Sequence, residues 1–206
     1  MANLKTTYTD GARRGFYRLG VILAGLHVTA DLLTYAGLAL NVLAAGLIVA
    51  GHFFWAAVAF GAAAICDALD GSVARAGRGE TRSGAFLDST LDRVSEILTF
   101  GALAVYMARE DRMWELVAVL VALGSGLMVS YARARAEALG TDCKVGFMSR
   151  PERLVGLIVG FVFEPWHVLT VVLVLLAVLT PLTVVHRMTH VMRKLRAEER
   201  AAAAGP

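Results

Sequence analysis

The sequence predicts an all-α integral membrane protein of six transmembrane helices preceded by an N-terminal interfacial amphipathic helix. Three observations carry that prediction. The 206 residues are 57% hydrophobic and 18% charged, with a mean hydropathy of +0.63, too much apolar surface for one soluble core of this size. Several windows reach the roughly 20 apolar residues needed to cross about 30 Å of hydrocarbon at about 1.5 Å per residue. No strand-like alternation of apolar and polar residues competes with them.

Residues 1–29 read as a cytoplasmic interfacial segment. In "DGARRGFYRLGVILAGL", Arg13, Arg14 and Arg18 fall opposite Phe16, Leu19, Ile22 and Leu23 at helical spacing, which suits a helix lying on an anionic leaflet. An ordinary flexible leader is the alternative. The segment lacks a small-residue cleavage site and precedes a true span, so it is not read as a secretory signal. The spans then run roughly Ala30 to Ala50, His52 to Arg75, Gly84 to Ala108, Met113 to Arg135, Glu152 to Phe163 and Trp166 to Met192, one transmembrane domain over residues 30–192. The fifth is short for a full crossing. Residues 193–206 form a cytoplasmic tail, in which "RAEERAAAAGP" reads as a fraying helix end.

Orientation follows from the basic residues, because short loops rich in Lys and Arg stay cytoplasmic. With six spans and the N-terminus inside, the outer loops lie near Gly51, at "REDR" and near "EPWH", and they hold only Arg109 and Arg112 of the 20 Lys and Arg. Both termini are therefore placed on the cytoplasmic side of a multi-pass cell-membrane protein. Cys66 and Cys143 are the only cysteines, one in a span and one in a cytoplasmic loop, and neither suggests a disulfide.

The stretch "ICDALDGSVARAGRGETRSGAFLDSTLDRVSE" places Asp67, Asp70, Asp88 and Asp92 between two oily segments. Ionisable groups in a span are costly and need partners. Asp67 and Asp70 are three apart and Asp88 and Asp92 four apart, so each pair shares one helical face. The polar "AGRGETRS", with Gly77 and Gly79, turns the chain and brings the two helix ends together at the cytoplasmic interface. Gly71, Ala74 and Gly84 lie one turn from the aspartates and leave room for a ligand or a neighbouring backbone.

Four converging carboxylates repel one another unless a hard cation neutralises them, and oxygen ligands favour magnesium, manganese or calcium. Two divalent ions about 3.5–4 Å apart would balance the charge and leave positions for phosphate oxygens. Arg75 and Arg78 add fixed positive charge suited to a pyrophosphate. These are the parts of a phosphoryl-transfer site. An EF-hand would need carboxylates at alternate positions and a distal Glu, absent from "DALDGSVARAGR". The adjacent aspartate pair of soluble prenyl synthases is also missing.

The pattern Asp67-x-x-Asp70-Gly71-x-x-Ala74-Arg75, eight residues, Gly84-x-x-x-Asp88-x-x-x-Asp92 resembles the signature of the CDP-alcohol phosphotransferase family, with every fixed position present. The resemblance covers almost the whole chain, since that family has six transmembrane helices and usually a preceding interfacial helix. It implies displacement of CMP from a CDP-linked lipid, CDP-diacylglycerol or CDP-archaeol, by an alcohol hydroxyl, with two magnesium or manganese ions. It assigns Asp67, Asp70 and Asp88 to the metals, and Asp92 to one metal and to the general base. Residue spacing alone does not choose which aspartate is the base. By resemblance too, Asp31, Thr34, Gly71, Arg75 and Thr81 line the CDP-lipid pocket, although "TADLLT" has Ala30 where the family usually has proline. A helix-start hydroxyl is the plainer reading of Thr34.

A second polar group comprises "SYARARAEALG", "SRPERL" and Arg187. Several cations around a cytoplasmic cavity suit an acceptor that carries phosphate; ordinary positive-inside anchoring is the alternative. The set is similar to the branch of the family that makes phosphatidylinositol phosphate in actinobacteria and its archaeal counterpart, which implies inositol 1-phosphate as acceptor, held by Ser130, Arg133, Arg153 and Arg187. Arg133 stands where Lys is common, a change that keeps the charge and alters its geometry. Phosphatidylglycerophosphate synthase, with glycerol 3-phosphate as acceptor, is the competing reading within the family.

Outside the family, a cation channel or transporter would also use intramembrane carboxylates, but it predicts acidic residues spread through the membrane depth. A lipid-binding scaffold with an incidental metal is the remaining alternative. The expected partners are a CDP-linked lipid, a phosphorylated polyol, the membrane and a second copy of the chain in a homodimer, with no nucleic acid. Gly156 and Gly160 serve internal packing or self-association equally well. His186 and His190 are one turn apart without a third ligand and read as interfacial.

Overall fold

The structure, a computed structural model, describes residues 21, 22, 25, 29–76, 81–143 and 145–203. Most of the expected interfacial helix, including Arg13, Arg14 and Arg18, lies outside these residues, as do Gly77 and Gly79 of the turn. Among the described residues the chain is helical: α1 (Ala30–Val49), α2 (Phe53–Ala76), α3 (Arg82–Arg109), α4 (Met113–Ala138), α5 (Arg150–Val162) and α6 (Val168–Ala203), with a 3₁₀ turn at Glu164–Trp166. The chain forms two compact units, Met1–Thr99 and Phe100–Pro206.

Four helices, α1, α2, α4 and α6 as far as Arg200, are long and apolar enough to cross a membrane by length and composition. The six-span expectation therefore meets four clear spans and two helices of different character. Helix α3 has 28 residues, but Arg82, Asp88, Asp92 and Arg93 make its first half polar. Helix α5 has 13 residues, a rise of about 20 Å against a hydrocarbon core of about 30 Å.

In the first unit α1 packs along α2. Thr29 opens α1 by accepting a hydrogen bond from the Leu32 amide at 3.3 Å. Gly51, at φ 77°, ends it: the His52 amide reaches back to Leu47 and the Gly51 amide to Ile48, a closure that needs a left-handed residue. The buried face joins Ala44 and Ile48 to Phe53, Ala56 and Phe60. Small residues let the helices approach closely, and a Cβ on Gly37 would lie 3.5 Å from the Ala63 carbonyl and from Cys66 Cβ. Outward, Leu32, Val42, Leu43 and Trp55 are more than half exposed, an arrangement suited to lipid and not to water.

In the second unit α4 and α5 pack against α6, around Val119, Leu157, Phe161, Leu169 and Leu173. Helix α6 begins later than Trp166, because the 3₁₀ turn and His167 in the left-handed region precede it. It also continues through the charged tail beyond Met192 as one helix of 36 residues that contains Pro181. Two of the three loops expected on the outer side, "REDR" and "EPWH", meet in this unit. Arg112 donates to Glu115 at 3.2 Å and to the Thr170 hydroxyl at 2.7 Å, and stands 3.6 Å from Glu164. Trp114 and Trp166 are exposed beside it, as aromatic residues at a membrane interface are.

Candidate active site

The carboxylate group is built from two helix ends of the first unit. Asp67 and Asp70 sit near the end of α2, and Asp88 lies in the second turn of α3. One oxygen from each lies within 4.8 Å of the others. Three carboxylates this close repel one another strongly, and Asp70 is buried; a hard divalent cation among them removes that cost and matches an all-oxygen donor set. The residues present thus fit magnesium or manganese. Asp92, expected in the same cluster, does not join the triad. Four residues further along α3 it shares the face of Asp88 but is displaced by about 6 Å of helical rise, and its carboxylate stands 3.7 Å from Arg93.

Thr34 of α1 has a role that its place in the sequence does not reveal. Its hydroxyl lies 2.8 Å from Asp70 Oδ2 and 3.1 Å from the Ala30 carbonyl. With one proton to give, the charged oxygen is the stronger acceptor. Thr34 therefore fixes the orientation of a triad carboxylate across the α1–α2 contact. The nucleotide contact expected of it is a separate matter.

The other expected CDP-lipid residues lie on or beside the helices of this unit: Asp31 on α1, Gly71 and Arg75 on α2, and Thr81 just before α3. Arg75 folds back along α2: its Nη2 donates to Ser72 Oγ at 3.3 Å, and a Cβ on Gly71 would meet its Nη1 at 3.3 Å. The small residue expected at position 71 is thus what gives the guanidinium its room. Thr81 caps α3, accepting from the Gly84 amide at 3.0 Å; a Cβ at position 84 would lie 3.0 Å from its hydroxyl. Asp31 is exposed in the first turn of α1.

The cationic group belongs to the second unit. Arg187 of α6 is buried, donating from Nε to the Val145 carbonyl at 2.9 Å and from Nη1 to the Val129 carbonyl at 2.7 Å. Arg153, in the first turn of α5, is also buried, with Nη1 3.4 Å from the Met148 carbonyl. Its helix is started by Ser149 and Pro151, with the Glu152 carboxylate accepting from the Ser149 amide at 3.0 Å. Arg133 of α4 is exposed and paired with Glu137 at 2.8 Å. Arg133 and Arg153 both lie close enough to Arg187 for their charges to act on it, so guanidinium groups carried by α4, α5 and α6 share one electrostatic neighbourhood. Ser130, one turn before Arg133, is half-buried. His186 stacks on Phe147, with centroids 5.6 Å apart.

Residues 27–193 match the family described as CDP-alcohol phosphatidyltransferase. The chain belongs to that family. It is 38% identical over 172 residues to archaetidylinositol phosphate synthase of Methanothermobacter thermautotrophicus, covering 81% of this chain and 85% of that one. It is 40% identical over 172 residues to phosphatidylinositol phosphate synthase of Mycobacteroides abscessus, covering 80% and 77%. Among solved structures, this phosphatidyltransferase resembles Mycobacterium tuberculosis phosphatidylinositol phosphate synthase with CDP-DAG bound, at TM-score 0.80 and 33% identity, covering 86% of this chain and 94% of that one. The same mycobacterial enzyme in complex with manganese and citrate matches at TM-score 0.79 and 33% identity, covering 86% and 88%. The expected family is therefore confirmed, and the chain is a multi-pass membrane transferase.

Proposed function

We propose that this phosphatidyltransferase moves a phosphatidyl-type group from a CDP-linked lipid to inositol 1-phosphate and releases CMP. The observation that carries the reading is the presence of two groups in one chain of this family: the Asp67, Asp70 and Asp88 triad, and Arg133, Arg153 and Arg187, near enough for the charges of the first two to act on the third. The first suits the metal-assisted cleavage of a pyrophosphate. The second suits an acceptor that brings its own phosphate, because guanidinium groups that repel one another are neutralised by a dianion. The similarity to proteins named archaetidylinositol and phosphatidylinositol phosphate synthase supports the inositol acceptor.

Asp67, Asp70 and Asp88 would hold the divalent ions, and Asp92, one turn further along α3, would contribute to one of them. Bound there, magnesium or manganese supplies charge neutralisation to the pyrophosphate. Arg75 and Gly71 face the CDP moiety, with Thr81, Asp31 and Thr34 around the same pocket. Asp92, one turn beyond the triad, takes the proton of the acceptor hydroxyl as its oxygen attacks the lipid-side phosphorus. A new phosphorus–oxygen bond forms there, the bond to the CMP oxygen breaks, and CMP leaves with the electron pair. Ser130, Arg133, Arg153 and Arg187 orient the acceptor through its phosphate.

The proposed setting is the cell membrane, with α3 and α5 completing six membrane helices, both termini and the site on the cytoplasmic side, and the chain acting as a homodimer. The weight of Lys and Arg outside the "REDR" and "EPWH" loops supports the orientation. The test is CMP release by purified protein given CDP-diacylglycerol or a CDP-archaeol analogue, magnesium, and a panel of inositol 1-phosphate, glycerol 3-phosphate and free inositol. Turnover with inositol 1-phosphate is expected. Turnover with glycerol 3-phosphate and none with inositol 1-phosphate would reject the acceptor in favour of the phosphatidylglycerophosphate reading.

A further inference from the structure

Four consecutive residues between α4 and α5 each meet one turn of α6. The Val145 carbonyl accepts from Arg187 Nε at 2.9 Å. Gly146 lies against Thr183, where a Cβ would come within 2.4 Å of the Thr183 methyl and 3.5 Å of Arg187 Nε. Phe147 stacks on His186 at 5.6 Å with an interplanar angle of 29°. The Met148 amide donates to Thr183 Oγ1 at 3.1 Å. Thr183, His186 and Arg187 are spaced at three and four residues, so they present one face of the helix to this strap.

Thr183 is the pivot of the arrangement. It is fully buried, and its hydroxyl gives its proton to the Leu179 carbonyl at 2.9 Å while accepting from Met148. Its methyl group bounds the space that Gly146 fills. Gly146 has φ +130°, which L side chains rarely adopt, so both backbone and space require glycine there. The result for Arg187 is a fixed plane, because Nε is tied to the strap and Nη1 to the Val129 carbonyl of α4. Nη2 takes part in neither bond and is the atom such a geometry offers to an anion.

We infer that Thr183, with Gly146, is a positioning residue for the acceptor phosphate: it seats the Val145–Met148 strap that holds the Arg187 guanidinium in its binding orientation. The inference rests on the reading of Arg187 as a phosphate ligand. Thr183 touches no reacting atom and acts through Arg187 alone. Its removal should therefore weaken acceptor binding equally in the ground and transition states, which raises KM and spares kcat.

The experiment compares Thr183→Val, which keeps the branched shape and removes the hydroxyl, with Thr183→Ser, which keeps the hydroxyl. Both are made in the full chain and assayed with CDP-diacylglycerol, magnesium and the phosphorylated polyol that the wild type turns over. Thr183→Val should raise the acceptor KM by about three- to tenfold, the effect of one hydrogen bond, with kcat and the CDP-lipid KM within about twofold. Thr183→Ser should restore the wild-type value. Hydrogen exchange of a peptide spanning residues 145–149 should quicken in Thr183→Val and not in Thr183→Ser.

Faster exchange with an unchanged acceptor KM would overturn the positioning role while leaving the acceptor reading intact. A parallel change in both KM values and kcat would overturn it too, since that marks general loss of the fold. A wild-type chain that turns over free inositol but no phosphate ester would remove the reading and the inference together.

Discussion

Replacing Thr34 with valine separates two roles that this residue could serve. The substitution keeps the side chain's shape and removes the hydroxyl that stands 2.8 Å from Asp70 Oδ2. A hydrogen bond to a charged acceptor contributes about 1.5–3 kcal/mol, or about 10- to 150-fold in an equilibrium constant. Thr34 is only half-buried and shares its proton with the Ala30 carbonyl at 3.1 Å, so the lower end applies. Partners that orient a metal ligand commonly affect metal affinity by about 10- to 100-fold. The assay is CMP release as a function of manganese concentration at saturating lipid and acceptor. The half-activating concentration should rise about tenfold in Thr34→Val, with Thr34→Ser close to wild type. If the metal dependence stays put while the CDP-lipid KM rises, Thr34 serves the nucleotide and the orienting argument fails.

Asp92→Asn, close in shape but unable to take a proton, should reduce turnover by about 10²- to 10⁴-fold with the CDP-lipid KM little changed. Full turnover in that variant would count against Asp92 as base. Chelation of divalent ions should abolish CMP release, and magnesium or manganese should restore it; undiminished activity in excess chelator would refute the metal assignment. Arg112→Ala removes the bonds to Glu115, Thr170 and Glu164. Those side chains are partly exposed, so the loss should be about 1–2 kcal/mol of stability, seen as a lower Tm in detergent, with both substrate KM values unchanged.

The aspartates were legible in the sequence because their signal is local. Spacings of three and four residues on either side of a turn specify both the shared helical faces and the meeting of two helix ends. Asp92 shows the limit of that signal: a spacing of four preserves the face of Asp88 but adds a turn of rise, so it stands beside the triad of Asp67, Asp70 and Asp88 and not among its three members. The six-span count rested on hydropathy, and it was least informative where α3 gives its first turns to charged residues and α5 stops after 13 residues. Contacts between distant positions left no local trace. Thr34 and Asp70 are 36 residues apart, and each has an ordinary local explanation. Gly146 sits in "KVGFMS", a stretch without helical or turn pattern, and only the Thr183 methyl beside it shows why the residue must be small.

The triad and Thr34 lie wholly within residues 1–99, and Arg133, Arg153 and Arg187 lie wholly within residues 100–206. During synthesis, the carboxylate half is thus complete in sequence before the ribosome reaches the first of those arginines. The same partition bears on descent: substitutions around the arginines can accumulate in the later half of the gene without altering the carboxylates encoded in the earlier half.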